Sequence, residues 1–467
     1  MAYTTIDNAE LYFQTKIFTG NGSTQSITLD GSENMQPDWV WIKNRGAVTN
    51  HELADSVRGA NKLLKTNAGD TEQNNSNKIT SFDSDGFGVG NDANVNQSST
   101  NIVSWNWSAG GTAPAITYTV KVVSDSGNKY RFDDFGTSAV TLDLQEGGTY
   151  TFDQSDSSNA THPLRFYTAS DKSGGEYTTG VTTTGTPGSS GAKTVITVAS
   201  GAPTLYYQCS SHAGMGGQAN TNSTFGSSNF SGSIQSTVSA GSTQGFSIVF
   251  HTGTGSASTV GHGLSSKPEM MIFKNRDRTA NWVIYHHKLN AQPEQAYIYF
   301  STMGGRDGYN GFFNNTEPTS SVFTIGTDGD FNSSGEKMIG YCFNSVKGFS
   351  KFGSYVGNGN ADGTFVYTGF KPAFIIIKQI GSDGENWWVY DNKRNTSNLV
   401  TKGLYPNASN AEVDYSGSSQ MNLDFVSNGF KLRASDGALN GSGSSYIYMA
   451  FAESPFVNSN GIPTNAR

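Results

Sequence analysis

Four consecutive apolar residues, framed by a Pro and a Lys, occur three times along the chain. Residues 37–43 read PDWVWIK, residues 268–274 read PEMMIFK and residues 372–378 read PAFIIIK. A run this short, rich in Trp, Val, Ile and Phe, favours a strand over a helix. Unbroken apolar character puts such groups on both faces, which suits a strand covered on two sides. Pro has no N–H to give to a ladder and costs least where a strand begins. The pattern therefore predicts the central strand of a domain, present in three copies.

Other features recur around it in the same order. A Gly-x-Gly turn precedes each run, at Gly20 and Gly22, Gly253 and Gly255, and Gly357 and Gly359. An Asn-led aromatic segment follows, NWVIY at 281–285 and NWWVY at 386–390, with the weaker HELAD at 51–55. A turn and strand come next, DSDGFGVG at 83–90 and VSNGFKL at 426–432, with GTDGD at 326–330 assigned to that place in the middle copy. Each copy closes on an aromatic strand: IVSWNW at 102–107, MIGYCF at 338–343 and YIYMAFA at 446–452. Short strands at this density predict an all-β chain of tandem antiparallel β-sandwich, jelly-roll-like repeats. The second and third copies follow one another directly, whereas a further stretch of alternating strands separates the first from the second. The division expected is residues 1–112 for the first repeat with an N-terminal attachment segment, 113–221 for an inserted domain, 222–348 for the second repeat and 349–467 for the third.

Composition narrows the function. There are 56 Gly, 12 Pro and only 15% charged residues, as turns and short strands require. A net charge of −8 without a basic block excludes nucleic acid as a partner. No apolar run nears the roughly 20 residues of a membrane-spanning helix. The opening MAYTTIDNAELYFQ has neither the basic nor the apolar region of a signal peptide. Cys209 and Cys342 fall in different segments, so no disulfide framework is expected. These features point to synthesis in a reducing cytosol.

One constellation carries ligand chemistry. His162 lies in NATHPLRFY, and Cys209, His212 and Met215 follow in YYQCSSHAGMGG. Two imidazoles, a thiolate and a thioether are the donors of a blue-copper centre. With its Cys-x2-His-x2-Met loop and upstream His-Pro, the inserted domain resembles the cupredoxins, the plastocyanin and amicyanin group. That resemblance implies a Greek-key β-sandwich holding one copper ion in a type 1-like site, with His162, Cys209, His212 and Met215 as ligands. Ser211 stands where many cupredoxins have a Pro before the second His. Other candidates point to structure. Asp83, Ser84, Asp85 and Gly86 suit a hairpin turn better than a calcium loop. His286 and His287 read as a solvated strand end, Cys342 as a buried small hydrophobe, and Trp39, Trp387 and Trp388 as packing groups. No Ser/His/Asp grouping or carboxylate pair stands out, so no enzymatic activity is expected.

Outside the insertion a second resemblance covers nearly the whole chain. The opening residues 1–31, then PDWVWIKNR, DSVRGANKLL, SFDSDGFGVG, GFSIVFHTGTG, FGSYVGNGNADGTFVYTGFKPAF and YIYMAFAESPF, look like a domain repeated in structural proteins of marine bacteriophages. The resemblance implies a virion structural protein, a tail fibre or tail-associated component contributing to host attachment. Its partners would be other virion proteins and the host cell surface. By analogy with tail fibres it would be a homo-oligomer, a trimer. A capsid or tail decoration protein is the first alternative, and a copper-binding electron-transfer protein the second.

Overall fold

The computed structural model describes residues 3–221, 225–302, 304–381, 384–418 and 420–464. They form an all-β molecule of antiparallel sheets in which the three copies share one topology. In each, the central strand (Trp39–Asn44, Met270–Asn275 or Phe370–Ile380) lies beside the closing strand (Asn101–Trp107, Lys337–Phe343 or Ser445–Pro455). The closing strand also pairs with a leading strand, Phe13–Thr19, Phe246–Thr252 or Ser350–Val356. On its other side the central strand takes Glu52–Asp55, Val283–His286 or Trp388–Asp391. A small second sheet covers one face: Gln25–Thr28, Gly86–Val89 and Ile79–Asp83 in the first copy, Ser258–Gly261 and Val322–Ile325 in the second, Phe365–Tyr367, Gly429–Leu432 and Leu423–Val426 in the third.

The apolar runs are buried on both faces, as the sequence predicts, and the two coverings differ. In the first copy Val40 and Ile42 face their own second sheet, packing with Ile27, Phe87 and Val89. Trp39 and Trp41 point the other way, into a core shared by all three copies. The second copy divides Met271 and Phe273 from Met270 and Ile272 in the same manner. Trp39 stacks on Tyr341 of the second copy at 4.9 Å, and Phe374 of the third packs on Trp107 of the first at 5.4 Å. Phe343 and Phe451, of the second and third, lie 6.2 Å apart. Such aromatic pairs add about 0.5–1.5 kcal/mol each beyond burial. The repeats are therefore a closed ring of three, related by a pseudo-threefold axis, with the aromatic faces of their main sheets turned inward.

The Lys that ends each run is also buried: Lys43, Lys274 and Lys378 are at most 1% exposed. Their ammonium groups donate to loop carbonyls, Lys43 to those of Asn44, Ala47 and, across a junction, Ser409. Lys274 donates to Asn275 and Arg278, and Lys378 to Glu385. Burial pushes the pKa of Lys43 and of Lys274 down to about 8.

Three details differ from the sequence expectations. Pro372 lies within its strand rather than at the start, at a register shift against the closing strand; a bulge accepts a residue with no N–H. Residues 326–330 are not the middle copy's hairpin. Asp328 caps the one-turn helix Gly329–Asn332, as Asp92 caps Ala93–Asn96 and Asp436 caps Gly437–Asn440. A shared Gly-Asp pattern at two adjacent turns hid the distinction. The N-terminal segment, expected to attach the chain elsewhere, packs on the third copy. There Tyr3 Oη donates to Gly369 O, and Phe13 stacks on Phe451 at 5.2 Å.

The one-turn helices explain the Gly-x-Gly turns. Each ends in a fully buried Asn, at 96, 332 or 440, whose side-chain oxygen accepts from the backbone N–H of Asn21, Thr254 or Asn358. That residue is the middle one of the Gly-x-Gly. The second Gly, at 22, 255 or 359, takes a φ of +71°, +73° or +65° and donates its N–H to the carbonyl of the same Asn. A side chain on the first Gly would meet backbone oxygen, at 2.1 Å for Gly20.

The inserted segment forms its own pair of sheets, one of five strands and one of four, around a separate core. Its strand Ala115–Ser124 runs parallel to Thr149–Asp153, and Leu142–Asp143 runs parallel to Gln218–Asn220. The boundary placed between 221 and 222 abuts residues outside those described. Beyond it, Ser227–Asn229 pairs with the second copy's strand Ser236–Gly241, while Phe230 enters the insertion's core against Tyr118 and Phe132. Tyr118 Oη donates to Ser228 O, and Thr237 Oγ1 to Asp143.

Candidate functional site

Within the insertion, Leu164–Tyr167 and Leu205–Cys209 pair so that Leu164 stands opposite Cys209. His162, two residues before Leu164, is thereby carried to the end of the strand that Cys209 terminates. The chain turns immediately after Cys209, with Ser210 N–H donating to Pro163 O at 3.0 Å. This turn brings His212 back over the strand end. Cys209 Sγ lies 3.8 Å from His162 Nδ1 and 3.5 Å from His212 Nδ1, and the two imidazole rings are 4.6 Å apart. All three ligand atoms fall within 4.8 Å of one another.

Donor chemistry and spacing both fit a metal ion. Ligands at ~2.0 Å (N) and ~2.3 Å (S) from one tetrahedral ion lie roughly 3.3–3.8 Å apart, and the two sulfur–nitrogen separations here are 3.5 and 3.8 Å. Met215 is buried in the same apolar cluster as Cys209. Gln208 Oε1 accepts from its N–H and Tyr130 N–H donates to its carbonyl, which fixes the backbone at the fourth predicted ligand. His162 Nε2 faces Asn128 Nδ2 at 3.5 Å, leaving Nδ1 on the side of the thiol. Partial burial, then the neighbouring His212, lowers the His162 pKa, which favours the neutral imidazole that a metal requires. His212 is exposed, so an ion has a path from solvent.

The loop with Ser211 in place of Pro is held by two lysines. Lys172 donates to the carbonyls of Cys209 and Ser210 at 3.2 and 3.3 Å, and Lys129 donates to that of Gly214. Gly216 is required because a Cβ there would lie 1.6 Å from Tyr207 O.

The remaining candidates are structural. Asp83 pairs with Gly86 across a two-residue hairpin turn, and the Asp83 and Asp85 carboxylates accept from Ser26 Oγ and Met35 N–H. Cys342, Trp39, Trp387 and Trp388 are buried, at most 2% exposed. His286 is not a solvated strand end. It is fully buried, with Nε2 3.3 Å from Tyr448 O of the third copy, because the ring covers the end of its strand. Sequence reasoning missed the charged groups that join the copies. Asp55, Arg58 and Glu72 form a buried cluster with Arg276 of the second copy. Asp391, Arg394 and Glu412 do the same with Arg45 of the first. The visible signal was the Asp-x-x-Arg spacing in DSVR and DNKR.

Comparison with known proteins gives one family. A family model described as Domain of unknown function (DUF7483) matches residues 8–145 and 218–455, more than half of the chain, and passes over the strands that bear the four predicted ligands. No curated protein matches. Among solved structures, the crystal structure of the major capsid protein P2 from Bacteriophage PM2 is similar at 10% identity and a TM-score of 0.14, covering 44% of this chain and 97% of that one. A likeness of that size carries no argument about fold or function.

Proposed function

We propose, on the premise that the chain belongs to the DUF7483 family, that the protein is a structural component of a bacteriophage virion whose inserted domain holds one copper ion. The observation that carries the metal assignment is the meeting of His162 Nδ1, Cys209 Sγ and His212 Nδ1 within 4.8 Å. Met215 would supply the weak axial sulfur of a cupredoxin-like centre. Copper bound by a thiolate gives an intense visible charge-transfer band. Titrating the full chain with Cu(II) should therefore produce such a band, Cys209→Ser should abolish it, and His162→Ala should weaken or shift it. A colourless reduced protein in excess Cu(II) overturns the assignment, and tight zinc binding without a copper band converts it to a zinc site.

The virion reading is supported by the resemblance of its long motifs to marine phage structural proteins and by a body of three repeated units packed on one shared aromatic core. No enzymatic role is proposed. Within this reading the protein is a tail fibre or tail-associated component that contributes to host attachment. The closed ring favours a second reading, a capsid or tail decoration protein, because one chain already supplies a threefold block without two partners. Antibody labelling of virions separates the two: label confined to the tail supports the first, label over the head the second. For the same reason a monomer mass of 49.8 kDa is expected in solution. A mass three times larger, by ultracentrifugation, restores the homotrimer expected from tail fibres.

A further inference from the structure

The three copies serve as controls for one another, and the outer strand of the second sheet differs in one of them. Register against the neighbouring strand aligns Ser26 and Thr28 of the first copy, Thr259 and Gly261 of the second, and Phe365 and Tyr367 of the third. The residue between them, Ile27, Val260 or Val366, is buried in every copy. The flanking positions point away from that core, as alternation along a strand demands. Ser, Thr and Gly satisfy the fold there twice. In the third copy they are aromatic and remain exposed, 47% for Phe365 and 55% for Tyr367. The fold is met there by small residues in two copies, so it does not require two large exposed rings in the third.

These rings border a cleft of about 450 Å³ between the second and third copies. Lys288 and Lys351 line it from opposite sides of the junction. Both are exposed, and among the described residues neither forms an ion pair. His287 also lines it, with Nε2 2.9 Å from Phe352 O and 3.8 Å from the Glu269 carboxylate. The Tyr367 hydroxyl is 3.0 Å from that of Tyr3, which fixes the outer ring. Flat aromatic faces beside two uncompensated ammonium groups suit a ligand with apolar ring faces, many hydroxyls and regularly spaced negative charge.

We propose that this cleft binds an acidic polysaccharide, a chain of sugars bearing carboxylates, with Phe365 and Tyr367 as stacking platform and Lys288 and Lys351 as charge partners. The inference deepens the host-attachment reading by naming the class of surface ligand, and it is tested on the purified chain without reference to position in the virion. Virion labelling can therefore fail while this stands, and the reverse.

The test is gel retardation of the full chain in alginate, a polyuronate, beside dextran, a neutral polymer. Retardation by alginate alone is expected, weakening with salt. The double variant F365S/Y367T installs the first copy's residues, so it should fold and melt within a few degrees of wild type, losing only the exposed Tyr3–Tyr367 hydrogen bond, while losing about tenfold in affinity. K288A/K351A should lose a comparable factor and most of the salt dependence. No retardation of the wild type overturns the proposal, as does equal retardation by dextran or unchanged binding of F365S/Y367T. Self-association of the wild type that F365S/Y367T abolishes would assign the rings to a second copy of this chain and overturn it also.

Discussion

Two junctions of the ring hold a buried ionic cluster and, among the described residues, the third does not. Between the first and second copies, Arg58 bonds Asp55 at 2.5 Å and Glu72 at 3.0 Å, and Glu72 reaches across to Arg276. Between the third and first, Arg394, Asp391, Glu412 and Arg45 repeat the arrangement at 2.5, 3.1 and 2.6 Å. Even the capping donors correspond, Tyr341 Oη to Asp55 and Trp105 Nε1 to Asp391. Strand register places His286 and Leu289 where the Asp and Arg would stand between the second and third copies, with Ile380 in place of the cross-junction Arg. The whole set has changed together. Removing one member of a buried ionic cluster strands the others, at a cost of about 3–5 kcal/mol, whereas replacing all of them by apolar groups is close to neutral. A ring of homologous copies thus loses such a cluster completely or keeps it completely.

The sharpest way to break this comparison is Arg58→Ala. It leaves Asp55 and Glu72 facing a cavity, so a loss of about 3–5 kcal/mol in urea denaturation is expected. Arg394→Ala should match it, and a loss below 1 kcal/mol in either would mean that water replaces the guanidinium. Next in size is a partial restoration of the cluster at the third junction. His286→Asp should cost about 2–4 kcal/mol, and adding Leu289→Arg should recover part of that; additive losses would show that the third junction no longer accommodates the cluster.

Acid provides a smaller, graded effect. Burial, aided by His287, pushes the His286 pKa to about 3, well below its unfolded value of 6.5. Between those values the unfolded chain takes up a proton that the folded chain refuses, so stability falls as pH drops, by at most about 1.4 kcal/mol per unit. Hydrogen exchange should then rise first in the strand Ser350–Val356, which pairs with the strand carrying Tyr448 O. His286→Asn should flatten the dependence. The smallest effect expected is that of Arg45→Ala, about 1 kcal/mol, because Arg394 still pairs with Glu412 and the site is near solvent.

The repeat, its central strand and its Gly-x-Gly turn were legible because each is local, a few residues whose spacing alone dictates the conformation. The meeting of His162, Cys209 and His212 was legible because two of them share one loop and the third precedes the strand paired with it. The ring was not. Trp39, Met270 and Phe374 announced burial, and burial between two layers of one sandwich would have produced the same four-residue run. Which surface covers the second face is decided by pairs such as Arg276 and Glu72, far apart in sequence and unremarkable individually. The Asn at 96, 332 and 440 escaped notice because its neighbours differ in all three copies, while its own amide and carbonyl do the clamping. Phe365 and Tyr367 gained meaning only when register aligned them with Ser26 and Thr28.

The strand Ser227–Asn229 gives the inserted domain a mechanical character. It is hydrogen-bonded edgewise to the second copy's sheet, and the next residue, Phe230, is wedged among Tyr118, Phe132 and Phe135 of the insertion. A tug on the insertion therefore does not first stretch a slack tether. It loads a row of ladder hydrogen bonds in shear, all sharing the force at once, and an aromatic plug must be withdrawn before the domain comes loose. The inserted domain is mounted as a stiff bracket, and a displacement at its loop of residues 209–215 is transmitted to the ring as torque.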